Sequence, residues 1–191
     1  MVLLVLGLVL FLGIHAISIV AHPFRDRMVA SMGANGWRGV YSLISAVGLG
    51  LIIWNWGDAR AAAPLLYEPP VWMKHLVALL MLFAAIAIAV YMVPAGRLKP
   101  ILKHPMLLSV KIWAFAHLLA NGDLASALLF GSFLIWAVAD RISLKRRNAA
   151  IAAPGPARND IIALVVGLAI YLALVFGGHS WLFGVAPLPL G

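Results

Sequence analysis

The chain has 191 residues, 64% of them hydrophobic and only 10% charged, with a mean hydropathy of +1.04 and a formal charge of +8. A soluble domain is nearer half apolar and a quarter charged, so this chain lacks the polar residues to cover a soluble core and reads as a single integral membrane domain over residues 1–191. The absence of cysteine excludes disulfides, thiolate metal sites and thiol catalysis. No basic run interleaves with aromatics on a soluble module, so the charge points to loop topology and membrane lipid headgroups, with no nucleic acid partner.

Six apolar segments are predicted, at about residues 1–21, 39–56, 71–93, 105–120, 124–139 and 160–178. They average close to the ~20 residues that a bilayer core requires, although the fourth and fifth are short. The first is uncharged and lacks the basic start of a signal peptide; His15, Ser18 and His22 share one of its faces. A loop with Arg25, Asp26, Arg27 and Arg38 follows. After the second segment comes a loop holding Asp58, Arg60, Glu68 and Pro69-Pro70. The third segment begins W-M-K-H, placing Lys74 and His75 in its first turns, and its A-A-I-A-I-A stretch suits close helix contact. Arg97, Lys99 and Lys103 then occupy a loop with no acid. Pro105 opens the fourth segment at a position a first helical turn tolerates. Asn121-Gly122 stops it, and Asp123 is placed to cap the fifth, giving a tight helical hairpin. The fifth segment leads into D-R-I-S-L-K-R-R, and residues 149–158, with Pro154, Gly155 and Pro156, read as a loop. After the sixth segment, G-G-H-S-W-L-F-G closes the chain near an interface.

The basic residues concentrate in the first, third and fifth loops. The second holds only Arg60, and the fourth loop and the tail hold none. By the positive-inside rule the odd loops are cytoplasmic and both termini lie outside, in a bacterium across the cytoplasmic membrane. Trp54, Trp56, Trp72 and Trp181 then mark the outer interface and Trp37 and Trp136 the inner one, whereas Trp113 falls inside a helix and lines the interior. No internal repeat appears, which argues against an inverted-repeat transporter.

The stretch from Lys103 to Asp123 carries the polar residues that need explaining. Ser109, Trp113, His117 and Asn121 fall four apart on one slowly drifting helical face. Lipid offers such a face no hydrogen bonds, so it must turn toward the protein interior. No Asp or Glu lies deep in any segment, which leaves no carboxylate pair, hard-cation cage or carboxylate relay, and makes a zinc hydrolase a poor reading. Histidine remains: His15, His22, His75, His104, His117 and His179. Neutral imidazoles on apolar helices commonly hold haem axially. The blander reading is that a membrane histidine bonds a neighbouring helix for ~1 kcal/mol, and it suits the interfacial His22, His104 and His179 best. Lys111 reads as snorkelling toward the cytoplasmic face, the alternative being a counter-ion for a propionate.

K-H-P-M-L-L-S-V-K-I-W-A-F-A-H-L-L-A-N-G-D-L-A-S, with F-L-G-I-H-A near the start and A-D-R-I-S-L-K-R-R later, closely resembles the NnrU family over essentially the full chain. That resemblance implies a multi-pass membrane protein associated with denitrification and nitric oxide metabolism. The superfamily includes the plant 15-cis-zeta-carotene isomerase, a membrane enzyme holding haem b. By resemblance, its two haem histidines match His15 and His117, and its arginine-histidine-proline motif matches Lys103-His104-Pro105. Ala114 stands where the isomerase has a cysteine, so no thiol-based ligand exchange can operate here.

Depth bears on the choice of pair. With segment one running inward and segment four outward, His15 lies roughly 10 Å and His117 roughly 20 Å from the inner face at a ~1.5 Å rise per residue. Two ligands of an upright haem sit at nearly equal depth, which makes His75 and His179 alternative partners for His117. The expectation is therefore an all-α, six-span bundle with a haem b site built on His117 and His15 as iron ligands, with His75, His179 and His104 as alternatives and Trp113, Lys111 and Asn121 around them. Its role is redox or accessory, with a redox or nitric oxide reductase partner. The alternatives are a haem-dependent cis-trans isomerase of an apolar polyene and a non-catalytic assembly factor.

Overall fold

The computed structural model describes residues 1–188, and these form an all-helical bundle. Its helices are α1 (Val2–Val20), α2 (His22–Ala61), α3 (Met73–Met92), α4 (Leu98–Leu102), α5 (Pro105–Ala120), α6 (Leu124–Arg146), α7 (Arg158–Ala173) and α8 (His179–Phe183), with a π-helical turn at Leu174–Gly178 joining the last two. Five stretches are long and apolar enough to cross a membrane, namely α1, α2, α3, α6 and the run from α7 through α8; α5 is a shorter apolar helix. The chain is a multi-pass membrane protein. This follows from composition and helix length together, and apolar side chains such as Val9, Leu43, Ile135 and Val165 are exposed on helix surfaces as contact with lipid requires.

The packing order explains where the core lies. α1 packs on α2 and α6, α6 on α5, α5 on α3, and α3 on α7. Small residues set two of these crossings. A Cβ on Gly48 would stand 2.6 Å from the Phe11 amide nitrogen, so α1 and α2 meet backbone to backbone. Ala84, Ala85, Ala87 and Ala89 of α3 are buried, and Gly167 of α7 fits against Ile86 so closely that a Cβ there would lie 2.7 Å from the Ile86 Cα. The alanine-rich middle of α3 thus serves the close contact that its composition suggested. In the absence of a hydrophobic drive between helices in lipid, such close backbone approach is a main source of association.

Two sets of loop hydrogen bonds define the ends of the bundle. At one end the α2–α3 loop is bound to the α5–α6 turn: the Leu66 amide donates to the Gly122 carbonyl (2.7 Å) and the Leu124 amide to that of Pro64 (3.0 Å), and Tyr67 donates its hydroxyl to the Leu118 carbonyl. At the other end the amides of Arg97 and Leu98 donate to the Asp160 carboxylate (2.8 and 3.0 Å), and the Asn159 side chain donates to the Ala95 carbonyl (2.9 Å).

Several elements depart from the sequence expectation. Residues 22–38 are helical, not a loop: α2 starts at His22 and turns a corner at Gly33 (φ 77, ψ 164), a conformation that favours glycine. Their charges misled because a helix outside the hydrocarbon tolerates them. Phe24 folds back across the corner against Trp37 (6.4 Å, 80°), which is buried and so packs inside the protein instead of marking an interface. Trp136 likewise packs inward, edge-on to His15. The basic run after Ala139 continues α6 to Arg146, and the third loop contains α4.

Candidate functional site

The α5–α6 hairpin builds one end of the site. Asn121 leaves the helix (φ −130, ψ 119), Gly122 passes under the Tyr67 carbonyl where no Cβ would fit, and Asp123 caps α6 by accepting from the Ser126 amide (2.8 Å) and hydroxyl (2.7 Å). Because the turn is tight, residues on α5 shortly before it face residues on α6 shortly after it. His117 therefore stacks on Phe130 (4.7 Å, 29°), and Trp113 packs edge-on to both Phe130 (5.0 Å) and Phe133 (5.5 Å).

The His117 ring is oriented from its own helix. Its Nδ1 lies 2.9 Å from the Trp113 carbonyl, which can only accept, so the proton sits on Nδ1 and Nε2 keeps its lone pair in the neutral ring. Asn121 donates to the His117 carbonyl (2.9 Å), and Arg60 donates to the Asn121 side-chain oxygen (2.8 Å) and to the Asp123 carboxylate (3.3 Å). Arg60 thus ties α2 to the end of α5. Burial pushes the Asp123 carboxyl up, but its hydrogen bonds from Ser126 and its pairing with Arg60 outweigh that and hold it below the ordinary carboxylate value.

His179 comes to His117 from the far end of the chain. The π-helical turn, broken at Phe176 and at Gly177 (φ 136), redirects the backbone so that α8 starts beside α5. The two imidazole rings lie 6.3 Å apart with planes inclined by 23°. His179 also directs Nδ1 at a carbonyl, that of Val185 (2.7 Å), and rests on Phe183. In the neutral ring each imidazole therefore leaves the Nε2 lone pair free, the form in which histidine binds a metal.

His15 is elsewhere. It shares the Nδ1-to-carbonyl arrangement, with Phe11 at 2.6 Å, but its neighbours are Phe11, Tyr41 and Trp136 between α1, α2 and α6. A ring series through Phe11, Phe133 and Trp113 runs from it to His117. His75 is exposed in the first turn of α3. His104 precedes α5 at the basic end, where burial first and Arg141 second lower its pKa. Ser109 uses its hydroxyl to bond the Ala84 carbonyl on α3 (2.8 Å), so the drifting polar face serves α3 at its start and α6 and α8 at its end. Lys111 lies about 120° around α5 from His117, in a groove of about 290 Å³ shared with Leu80, Leu108, Ile112, Phe115 and Leu134.

Sequence reasoning passed over Phe130, Phe133 and Arg60. The hairpin itself was the available signal for the two phenylalanines, since it pairs positions on either side of its turn. Arg60, as the single base in its loop, carried no such signal.

No curated protein and no solved structure matches the chain. A family model described as NnrU protein matches residues 3–187. That match spans every helix described above, from the His15 face of α1 to the His179 turn, and the chain belongs to the NnrU family.

Proposed function

We propose that this chain is a b-type haem protein with six crossings of the bacterial cytoplasmic membrane, both termini outside, serving a redox or accessory role in nitric oxide metabolism with a redox or nitric oxide reductase partner. The observation that carries the cofactor is the His117–His179 pair. The two rings stand 6.3 Å apart, and each turns Nδ1 to a backbone carbonyl, which in the neutral ring leaves Nε2 as the free donor. A bare transition metal asks for three or four protein donors, and among the described residues no group of three or more His, Cys, Asp or Glu converges. Haem brings four nitrogens of its own and needs only one or two donors from the protein, so this donor set suits haem best.

His117 and His179 would hold the haem iron, and the bound haem would supply one-electron chemistry. The chain's own contribution is orientation and exclusion of water. The Trp113 and Val185 carbonyls fix the imidazole tautomers, Arg60 and Asn121 hold the last turn of α5, and Trp113 and Phe130 wall His117 with aromatic surface. Six crossings are supported by the two sets of loop bonds, which require α5 to run the full distance between the ends. At ~1.5 Å per residue its sixteen residues span ~24 Å, short of a ~30 Å core, so the flanking turns must sit below the membrane surface. The polyene isomerase reading has no comparable support, since the apolar groove lies on the opposite face of α5 from His117.

The test is the visible spectrum of protein purified after expression with added haem precursor. Wild type is expected to show a Soret band that His117→Ala and His179→Ala each lose or shift while their elution profile stays monodisperse, with His15→Ala unchanged. Loss in His15→Ala with retention in His179→Ala would move the second ligand to His15, and colourless wild type would leave the assembly-factor reading.

A further inference from the structure

At the basic end of the bundle, away from His117, the end of α1, the first residue of α2 and the end of α6 line an open cavity of about 490 Å³. Its floor is apolar: Ile19, Val20, Ala139 and Ile142. Its rim is polar and basic: His22, Ser143, Arg146 and Arg147. Three features mark it as built to hold something negative with a greasy body. Neither Arg146 nor Arg147 forms an ion pair among the described residues, where the ion pairs are Arg25–Asp26 and Arg60–Asp123. The His22 Nε2 is buried with no hydrogen-bond partner, a cost that a ligand oxygen would remove. Ser143 has already given its hydrogen to the Ile19 carbonyl (3.5 Å), which ties α1 to α6 and leaves the cationic groups to recognise the anion. Asp140 lies close enough to Arg147, His104, His15 and His22 to feel their charge. It pairs with neither arginine and does not line the cavity, so the rim remains cationic.

We infer that this cavity is a binding site for an anionic phospholipid. Arg146, Arg147 and His22 receive its phosphate, and the start of an acyl chain lies along Ile19, Val20 and Ile142. Inorganic phosphate shares the headgroup chemistry but gains nothing from the floor, and Val20 and Ile142 are exposed and open the floor toward the space that lipid occupies. A juxtamembrane Lys or Arg adds roughly fivefold to the affinity for an anionic lipid, so losing both arginines is expected to weaken binding at least tenfold.

The test measures the thermal midpoint of detergent-solubilised full-length protein titrated with short-chain phosphatidylglycerol, phosphatidylcholine or inorganic phosphate at fixed salt. Phosphatidylglycerol is expected to raise the midpoint saturably, and the other two to leave it unchanged. The half-saturating concentration should rise at least tenfold in the Arg146→Gln/Arg147→Gln protein and stay within twofold in Lys145→Gln, whose base does not line the cavity. Should the double variant fail to fold, Ile142→Trp keeps the rim charges and fills the floor, and it must abolish the saturable rise. An equal response to inorganic phosphate, an equal loss in Lys145→Gln, or an undiminished response in Ile142→Trp overturns the site.

Discussion

Asp123 shows how much a single side chain can be asked to do. It ends one helix hairpin, caps α6 and anchors Arg60, which in turn holds Asn121 beside His117. Replacing it with Ala is expected to cost about 1 kcal/mol from the cap alone, read as a lower thermal midpoint. Its pH dependence has a definite sign. The folded pKa lies below the unfolded value of about 4, so its stabilisation is complete above that pH and drains away as pH falls through the folded value. Asp123→Asn should therefore flatten the acid limb of the stability profile, and an unchanged limb would show that Arg60 and Ser126 do not hold the charge. The capping role was legible in the sequence because it is local: an acid after Asn-Gly before an apolar run has few other uses. The pairing of His117 with His179 was open to depth arithmetic only, because it depends on how the Gly177 turn re-aims the chain some sixty residues further on.

Helices α1 and α2 cross where Gly7 and Gly48 leave no room for side chains. A Cβ on Gly48 would meet the Phe11 backbone at 2.6 Å, whereas a Cβ on Gly50 meets nothing within 4 Å. Gly48→Leu is expected to destabilise by roughly 1–3 kcal/mol, since backbone cannot give way as a side chain can. Gly50→Leu should be neutral or slightly stabilising through helix propensity. Equal midpoints for the two would refute the crossing as described. The existence of these helices was plain from apolar run length, but their ends were not. Residues 22–32 and 140–146 carry charges that read as loop, yet both stretches are helical, because a polar helix beyond the hydrocarbon violates no rule that composition can report.

The loop bonds sort the whole molecule into two ends, with Asp58 and Asp123 near one and Arg97 and Arg147 near the other. Because the chain has no native cysteine, a single cysteine at Asp58 or at Lys145 gives a clean label site. A membrane-impermeant maleimide on intact cells is expected to modify Asp58→Cys and spare Lys145→Cys, and the reverse pattern would invert the orientation drawn from the positive-inside rule. The all-helical, multi-pass class was readable at this scale from hydropathy. The packing order was not, since lipid makes every apolar face equally acceptable to the sequence.

The mutual fastening of those loops also bears on how the protein is made. The amides of Leu66 and Tyr67 wait for the Gly122 carbonyl, and those of Arg97 and Leu98 wait for the Asp160 carboxylate, more than fifty residues later in synthesis. A nascent chain halted before Asp160 would hold its early spans in the bilayer with an end still unfastened. That end of the bundle is therefore fastened only once the start of α7 has left the ribosome.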